Sequence, residues 1–268
     1  MSAVRVIARQ MLFGPVTMAA GDRQRLVPVP VIRGPARGLR FRLDLLKGGE
    51  NAYWLGRYDA AVLRILARVC KAGWTVWDVG AGIGFYSAFF ARTVGASGRV
   101  VAFEPHAGNL ERTKTNVALN RFRNVTFVGV AVGAPSGTID FLLSGDTTSH
   151  LSGAYVGSTA PAAGAERGRR MSVQCISPDE ALDRCKLPPP DLVKMDIEGA
   201  EADALRHCGW LAERTRPVIL LELHNPECDA EAWRFARRFG YAITATATGR
   251  IIQNRADVTG TVLLAPNP

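Results

Sequence analysis

The chain has 268 residues, of which 47% are hydrophobic and 21% are charged, a composition that is typical of a globular protein and too apolar for a disordered one. Its length favours one large domain over two. The net charge of +9 is unevenly distributed, because residues 1–58 contain ten basic and three acidic side chains. Such an arm could contact nucleic acid, phosphorylated ligands or a membrane surface, but scattered arginines more often form a solvated surface, and we favour that interpretation.

The cysteines and the apolar segments indicate in which cellular compartment the protein is expected. The five cysteines are odd in number and include no Cys-x-x-Cys pair, so the sequence predicts neither a disulfide framework nor a zinc knuckle. No uninterrupted apolar segment reaches the ~18 residues that a membrane span requires. Residues 11–20 follow two arginines, as in a secretory signal, but Gly14 and Pro15 would break its helix. We therefore expect a soluble, cytoplasmic protein without a membrane span.

The N-terminal region is expected to form an arm. Residues 29–32 and 39–45 are β-prone runs separated by a cluster of turn-forming residues, which predicts a β-hairpin. Apolar residues at helical spacing predict a helix over residues 58–70. We therefore divide the chain into a basic arm with the hairpin over residues 1–57 and a larger domain over residues 58–268.

From residue 74 onward, strand-like and helix-like segments alternate along the chain. The predicted strands cover residues 74–79, 99–104, 125–131, 191–196 and 217–223. The predicted helices cover residues 85–95, 107–120, 200–208 and 229–239. This alternation is typical of an α/β fold with a doubly wound, mostly parallel sheet between two layers of helices. Ligands of such sheets bind beyond the carboxyl ends of the strands, where four acidic residues are expected: Asp78, Glu104, Asp196 and Glu222.

Two regions in the second half are less regular. Residues 144–170 are rich in Gly, Ser, Thr and Ala and have no periodicity, which indicates either a lid that orders over a ligand or a disordered loop. Three β-prone runs follow later in the chain, at residues 242–246, 250–253 and 261–265. They could complete the sheet with an antiparallel pair.

The clearest functional signal is a glycine-rich loop directly after the first predicted strand of the sheet. Gly80, Gly82 and Gly84 allow the backbone to pass close to a ligand, and the following helix offers free N–H groups. The spacing is not Gly-x-Gly-x-x-Gly, because Phe85 stands where a dinucleotide fingerprint has its third glycine. Glu104 ends the next strand about 20 residues on, where an acid accepts hydrogen bonds from ribose hydroxyls. Loop and acid together predict a nucleoside site.

Four segments carry a resemblance to known proteins. They are VWDVGAGIGFYS (76–87), VVAFEPHAGNLERTKTNVALN (100–120), PDLVKMDIEGAEADAL (190–205) and LLELH (220–224). In these segments the chain resembles the class I methyltransferases that use S-adenosylmethionine, and more narrowly the FkbM family, and the resemblance spans roughly residues 53–224. The resemblance implies a Rossmann-like fold, S-adenosylmethionine as cofactor, and methylation of a hydroxyl group on a small natural product or a saccharide.

The resemblance also implies which residues would bind the cofactor. Carried over position by position, these are Asp78, Gly80, Gly82, Gly84, Glu104 and Ala131. Ala131 would approach the adenine ring, although it equally suits a structural place in the strand. Gly82 departs from the family, which usually has Asn at this position. The glycine adds flexibility and removes a side-chain hydrogen bond.

Methyl transfer to a hydroxyl needs a group that takes the hydroxyl proton. We expect Asp196 and His224 to fill this role, because both follow core strands and should face the crevice. Glu222 leaves the chain on the same face as His224, so these three residues could instead bind a divalent cation. The four histidines have no recognised ligand spacing, which makes a metal the less favoured alternative.

Other acids and histidines have plainer explanations. Glu198 and Glu201 lie at the start of a predicted helix, where the helix dipole favours acids whether or not they take part in chemistry. His106 and His207 are expected at helix ends. His150 lies in the long loop, where it would either cover a substrate or be solvated.

Two functions of other classes are kept as alternatives. A nucleic-acid methyltransferase would explain the basic arm, but such an enzyme is expected to offer aromatic residues for stacking a base, and no Asn-Pro-Pro-Tyr-like run occurs. A catalytically inactive partner subunit that binds the cofactor is the second alternative. Neither the acceptor nor the oligomeric state follows from the sequence.

Overall fold

The structure is a computed structural model that describes residues 26–45, 49–133, 136–144, 152–155 and 169–267. Its strands are β1 (Val27–Pro30), β2 (Arg40–Leu43), β3 (Thr75–Val79), β4 (Arg99–Phe103), β5 (Val125–Val128), β6 (Ala131–Val132), β7 (Gly137–Ser144), β8 (Ser152–Tyr155), β9 (Arg169–Ile176), β10 (Leu192–Met195), β11 (Val218–Leu223), β12 (Tyr241–Ala245) and β13 (Gly260–Pro266). Its helices are α1 (Asn51–Trp54), α2 (Ala60–Val69), α3 (Phe85–Val94), α4 (Ala107–Leu119), α5 (Pro178–Cys185), α6 (Glu201–Arg206), α7 (Gly209–Arg214) and α8 (Pro226–Phe239), with a short 3-10 helix at Arg255–Asp257.

The main sheet has seven strands in the order β12-β13-β11-β10-β3-β4-β5. The strands from β11 to β5 run parallel to one another, and β13 is antiparallel to both β11 and β12. The predicted doubly wound, mostly parallel sheet is therefore confirmed. Strand order reverses between β3 and β10, and a crevice at such a point is where sheets of this kind bind ligands.

The strands are apolar along both faces because helices cover both faces. Val76 and Leu220 point into the layer that contains α2, α3 and the N-terminal hairpin. Trp77 and Leu221, their neighbours along the strands, point into the opposite layer, to which helices α5 to α8 contribute. The core thus consists of two apolar layers separated by one sheet.

The N-terminal hairpin packs onto this core. Strands β1 and β2 pair antiparallel, as predicted, and Phe41 on β2 has no exposed surface. Asn116 of α4 and Asn120, the C-cap of that helix, each accept a hydrogen bond from a backbone N–H of β2, both at 2.8 Å. The hairpin is thereby tied to the helix that also borders the glycine loop. The division of the chain between residues 57 and 58 stays a prediction.

A second sheet of four strands, in the order β6-β9-β7-β8, is not predicted by the sequence. The predicted strand over residues 125–131 ends at Val128, and β6 begins at Ala131 as part of this second sheet. The prediction of one irregular loop over residues 144–170 is wrong where the structure describes it, because β8 and the start of β9 lie there. The remainder of that segment, with His150 and the expected lid, lies outside the described residues.

Some predicted boundaries shift by a few residues. Asp59 has a left-handed backbone conformation (φ 44°), so the helix predicted over residues 58–70 begins only at Ala60. The β-prone run at residues 250–253 forms no strand, and Ile251 makes a single bridge to β12 instead. The antiparallel pair is built from the other two runs, as β12 and β13.

The remaining expectations concern histidines, cysteines and membrane spans. His106 is the N-cap of α4, and His207 is the C-cap of α6, so both lie at helix ends as predicted. Among the side chains that the structure describes, the thiols of Cys70, Cys175, Cys208 and Cys228 are free and buried. Among the helices in the described ranges, none has the length and apolar character needed to cross a bilayer.

Candidate active site

A cleft of about 370 Å³ opens at the carboxyl ends of β3, β4 and β10, where the sequence predicts a ligand site. This volume lies in the range of small-molecule sites. The expected site residues that line it are Gly80, Gly82, Glu104, Ala131 and Asp196. The others lie beside or beneath it: Asp78, Gly84 and His224.

Close backbone contacts shape the glycine loop. At Gly80 (φ 82°), a Cβ atom would stand 2.0 Å from the carbonyl oxygen of Asp196, so the ends of β3 and β10 can approach each other only with glycine here. At Gly82 (φ 56°), a Cβ atom would meet no other atom within 4 Å. Asn adopts this left-handed conformation more readily than most residues do. The position therefore suits both the glycine of this chain and the Asn that is usual in the family that the chain resembles.

Glu104 lines the cleft, and its carboxylate already accepts two hydrogen bonds from backbone N–H groups. One carboxylate oxygen accepts a hydrogen bond from the N–H of Gly82 at 2.8 Å, and the other accepts one from the N–H of His106 at 2.9 Å. Burial raises the pKa of Glu104 to about 7, although these amide donors act in the opposite direction. Each carboxylate oxygen has a second lone pair, so the group can still accept hydrogen bonds from a ligand.

An apolar surface lies near Glu104 in the same cleft. Val130, Ala131 and Val132 come from the end of the β5–β6 connection and from β6, and Ile139 comes from β7. The second sheet thus contributes to the site, where sequence reasoning found Ala131 alone. A flat apolar group of a ligand would be buried against this surface.

Asp78 and Lys194 form a buried ion pair at the cleft, which Lys194 lines and Asp78 does not. Asp78 has no exposed surface, accepts a hydrogen bond from Ser87 at 2.5 Å, and lies 3.9 Å from the ammonium group of Lys194. Burial raises the pKa of Asp78, and the charge of Lys194 opposes that rise. Asp78 supports the cleft from behind, and its expected contact with a cofactor stays a prediction.

Lys194 is a site residue that sequence reasoning missed. Its ammonium group donates hydrogen bonds to the carbonyl of Gly80 at 3.3 Å and to the carboxylate of Asp196 at 3.1 Å. It also lies 4.9 Å from the ring centre of Tyr86. Burial by itself would lower the pKa of Lys194, but the surrounding carboxylates, above all Asp196, raise it above its usual value. The signal in the sequence is a lone cation within the otherwise apolar strand β10.

Asp196, Glu198 and His224 form a cluster just after the ends of β10 and β11. Nε2 of His224 lies 3.6 Å from Oδ1 of Asp196 and 3.7 Å from Oε2 of Glu198. One potential ligand atom from each residue lies within 4.8 Å of the others, which is close enough for the three to hold a divalent cation. Glu198, rather than the expected Glu222, completes this group. Below, these three residues are called the Asp–Glu–His cluster.

Glu201 holds the imidazole of His224 in place. Its carboxylate is fully buried, lies 2.9 Å from Nδ1 of His224, and also accepts hydrogen bonds from the N–H groups of Ile197 and Gly199 at 2.9 and 3.1 Å. Burial lowers the pKa of His224, but the hydrogen bond and charge of Glu201, with the nearby acids of the cluster, raise it to about 9. His224 is therefore protonated at neutral pH. A carboxylate at Nδ1 directs Nε2 toward the cleft side of the cluster.

Four aromatic side chains, called here the aromatic wall, line another part of the cleft: Tyr53, Tyr58, Phe85 and Tyr86. The rings of Tyr53 and Tyr58 stack with their centres 4.0 Å apart, and Tyr58 meets Phe85 edge-on at 5.5 Å. Tyr86 donates a hydrogen bond to Asp59 at 2.9 Å, which fixes the turn before α2. Sequence reasoning missed this wall because two of its tyrosines lie between the hairpin and the main sheet, outside any recognised motif.

The strand order, the glycine loop after β3 and the acid after β4 define the Rossmann-like fold of class I methyltransferases. Residues 78–247, more than half of the chain, match the methyltransferase FkbM domain. The chain therefore belongs to the FkbM methyltransferase family. This confirms the family expected from the four sequence segments.

Individual relatives are more distant. The chain is 27% identical over 168 residues to the hexuronic acid methyltransferase AglP of Haloferax volcanii, and the match covers 63% of each protein. Among solved structures, a methyltransferase FkbM from Methylobacillus flagellatus KT is similar with a TM-score of 0.46 and 18% identity, covering 76% of this chain and 52% of that one. An O-methyltransferase from Thermotoga maritima has a TM-score of 0.44 and 13% identity, covering 79% and 66%.

Proposed function

We propose that this chain is an S-adenosylmethionine-dependent methyltransferase that methylates a hydroxyl oxygen of a saccharide or small natural product. The observation that carries the proposal is one cleft with two chemically different parts. Glu104 and the apolar surface around Ala131 suit a nucleoside, and Asp196 and Glu198 line the same cleft with carboxylates. Membership of the FkbM family supports methyl transfer. The name of the Haloferax relative supports a saccharide acceptor.

The residues of the cleft fit the proposed cofactor. Glu104 would accept hydrogen bonds from the ribose hydroxyls, and the surface formed by Val130, Ala131 and Ile139 would bury the adenine ring. Gly80 and Gly82 would let the backbone run close beneath the cofactor. The carboxylate of Asp196 would favour the positive charge of the sulfonium group.

The reaction requires positioning and the removal of one proton. Bound S-adenosylmethionine supplies a methyl carbon made electrophilic by the adjoining sulfonium. The acceptor oxygen would bond to this carbon while the carbon–sulfur bond breaks with its electron pair on sulfur, and a residue of the chain would take the hydroxyl proton. Asp196 and Glu198 would orient the acceptor hydroxyl, and Nε2 of His224, once neutral, would take the proton.

We assign no metal ion to the Asp–Glu–His cluster. Lys194 already places a positive charge 3.1 Å from Asp196. A bound divalent cation would have to share this carboxylate with the ammonium group. We accordingly expect full activity in the presence of a chelator. If the chelator abolished activity and Mg²⁺ or Mn²⁺ restored it, a metal ion bound by the cluster, rather than His224 as a base, would activate the hydroxyl.

The first experiment measures cofactor binding by calorimetry. We expect S-adenosylmethionine and its demethylated product to bind with low micromolar affinity, which corresponds to about 7–8 kcal/mol. Glu104→Ala should weaken binding by roughly 1–3 kcal/mol, because it removes charge-assisted hydrogen bonds. Glu111→Ala is the matched control, since this side chain on α4 is 69% exposed. If both variants bound the cofactor with the same affinity, Glu104 would be excluded as a cofactor-binding residue.

The second experiment measures transfer of a labelled methyl group to a panel of hydroxyl compounds. Asp196→Asn and His224→Ala should each lower turnover by about 10²-fold, because the orientation of the acceptor and the help of a base are both expressed in the transition state. The affinity for S-adenosylhomocysteine, which has no sulfonium charge, should change little in either variant. Cofactor binding without turnover on any acceptor would favour the inactive partner subunit. Salt-dependent binding of RNA would favour the nucleic-acid methyltransferase, which the carboxylates of the cleft otherwise disfavour.

A further inference from the structure

The aromatic wall is separate from the residues that suit a nucleoside. Tyr53 and Tyr58 lie in the segment between the hairpin and α2, whereas Glu104 and Ala131 lie after β4 and in β6. The FkbM match begins at residue 78, so both tyrosines lie outside the residues that the domain match covers. A surface of this kind is expected to carry properties particular to this protein.

The wall offers a flat surface beside the reacting groups. Tyr53 and Tyr58 stack at 4.0 Å, and Tyr58 is the less buried of the two. The ammonium of Lys194 lies 4.9 Å from the ring centre of Tyr86 and bonds to Asp196, which connects the wall to the Asp–Glu–His cluster. An acceptor lying on the wall would therefore have its hydroxyl near Asp196.

The surroundings of the wall carry an excess of negative charge. The carboxylates in this part of the described structure belong to Asp59, Asp78, Asp196, Glu198 and Glu222. The cations near them are Lys194, whose ammonium group is shared between Asp78 and Asp196, and His224, which lies against the acids of its own cluster. Glu222 makes no hydrogen bond or ion pair with another described residue, and the cations that act on it, Lys194 and His224, are both shared with other carboxylates.

Glu222 points to the same side of the sheet as the wall. Along β11, Leu220 belongs to the layer of the hairpin and α3, and Glu222 lies two residues further on. Because side chains of a strand alternate between faces, Glu222 leaves the sheet toward that layer as well. Its charge acts on Tyr58, Lys194 and Asp196. This part-buried carboxylate would repel a second negative charge on an acceptor that lies on the wall.

We propose that Tyr53 and Tyr58 form the acceptor subsite and that this subsite, with Glu222 behind it, selects a neutral hydroxyl-bearing ring over an anionic one. The inference rests on the proposed function and specifies its acceptor. A pyranose presents an apolar face that suits the stacked rings and hydroxyls that can donate to the carboxylates nearby. A carboxylate or phosphate on the same ring would meet the acidic surroundings without a free cation among the described residues.

The test compares two acceptors that differ only at carbon 6, a methyl hexoside with a hydroxymethyl group there and the corresponding methyl hexuronide with a carboxylate. Each is titrated calorimetrically into protein saturated with S-adenosylhomocysteine. We expect the neutral hexoside to bind at least about tenfold more tightly than the hexuronide, because the carboxylates near the aromatic wall repel the charge of the hexuronide. Equal affinities, tighter binding of the hexuronide, or no binding of either would overturn the inference.

Variants then identify the residues responsible. Tyr58→Ala should weaken hexoside binding by about tenfold, whereas Tyr58→Phe, which keeps the ring, should stay close to wild type. Glu222→Gln should narrow the preference for the neutral acceptor by about threefold or more, and the exposed control Glu111→Gln should leave it unchanged. No effect of Tyr58→Ala on either acceptor would also overturn the inference.

Binding of S-adenosylhomocysteine separates this inference from the proposed function. Tyr58 and Glu222 do not belong to the residues that suit the nucleoside, Glu104 and the apolar surface around Ala131, so their variants should bind S-adenosylhomocysteine as the wild type does. If the unaltered protein fails to bind S-adenosylhomocysteine, the proposed function itself is wrong. If it binds and the acceptors show no preference, the assignment of the aromatic wall alone is wrong.

Discussion

His224 carries a proton in the free protein because three carboxylates surround it, of which Glu201 at 2.9 Å is the nearest. A base must be free of its proton before it can accept another. The same arrangement that orients the imidazole therefore sets the pH at which it can act. With His224 as the proposed base, the acids around it would favour catalysis at alkaline rather than neutral pH.

The pH dependence of catalysis tests this arrangement. We expect kcat/KM to rise with pH and to level off above about pH 9, because His224 with its raised pKa is protonated below that value. Glu198→Gln removes one of the charges that raise this pKa and should move the rise to lower pH. Initial rates measured between pH 6 and 10 check both statements. A flat profile in both proteins would exclude His224 as the base.

The glycines of the loop differ in what a side chain would meet, which gives a second prediction at this scale. Gly82→Asn should change the free energy of unfolding by less than about 1 kcal/mol, because the position is open and Asn tolerates its φ of 56°. Gly80→Asn should cost about 3 kcal/mol or more, since its Cβ would overlap the carbonyl oxygen of Asp196. Urea unfolding measures both. If both variants lost a similar free energy of unfolding, a glycine would be required by packing at position 82 as well.

At the scale of elements, α4 connects the hairpin with the glycine loop through one buried side chain. Asn116 has no exposed surface, accepts a hydrogen bond from the N–H of Arg42 at 2.8 Å, and donates one to the carbonyl of Ile83 at 2.8 Å. The hairpin and the loop are thus held by the same amide. We therefore expect a change in either one to affect the other through α4.

Asn116→Ala should lower the free energy of unfolding by about 1–3 kcal/mol for each backbone group that it leaves unpaired. It should also weaken cofactor binding, because the loop loses a fixed carbonyl. Asn120→Ala is the control, since its bonds to Arg40 are exposed and water can replace them at a cost below about 1 kcal/mol. Urea unfolding and calorimetry are the measurements, and equal effects of the two variants would contradict the proposed link.

The elements also show what local sequence can and cannot predict. The core strands and the glycine loop were predictable because burial on both faces and a left-handed turn each leave a local pattern, as in Val76 and Gly80. The second sheet was missed because the predicted strand over residues 125–131 continues in apolar residues across the break after Val128. Nothing local marks the point at which the chain changes sheets.

The candidate site divides in the same way. Glu104 and Asp196 were predictable because an acid that ends an apolar strand faces the crevice. Lys194 and the aromatic wall depend on contacts between distant segments, such as that between Lys194 and the ring of Tyr86. Glu201 looked like an ordinary acid of a first helical turn, and only the fold brings it to His224. Contacts of this kind leave no periodic signal in one sequence.

At the scale of the whole molecule, ligand binding should stabilise the fold because the cleft joins segments from both sheets. S-adenosylhomocysteine at 100 times its Kd should add about 2.7 kcal/mol to the free energy of unfolding. For a domain of this size, this corresponds to a rise in Tm of about 5–10 °C. Differential scanning calorimetry measures the shift, which should shrink for Glu104→Ala at the same ligand concentration. An unchanged Tm in the wild type would contradict the proposed site.

The position of β13 in the main sheet has a consequence for how the chain folds during translation. β13 (Gly260–Pro266) lies between β11 and β12, although it follows both along the chain. While residues before it emerge from the ribosome, the edge of β11 has no partner, and β12 has nothing to pair with. An open strand edge of this kind invites pairing with other nascent chains. The protein would therefore depend most on chaperones in the interval between the synthesis of β11 and the release of residue 266.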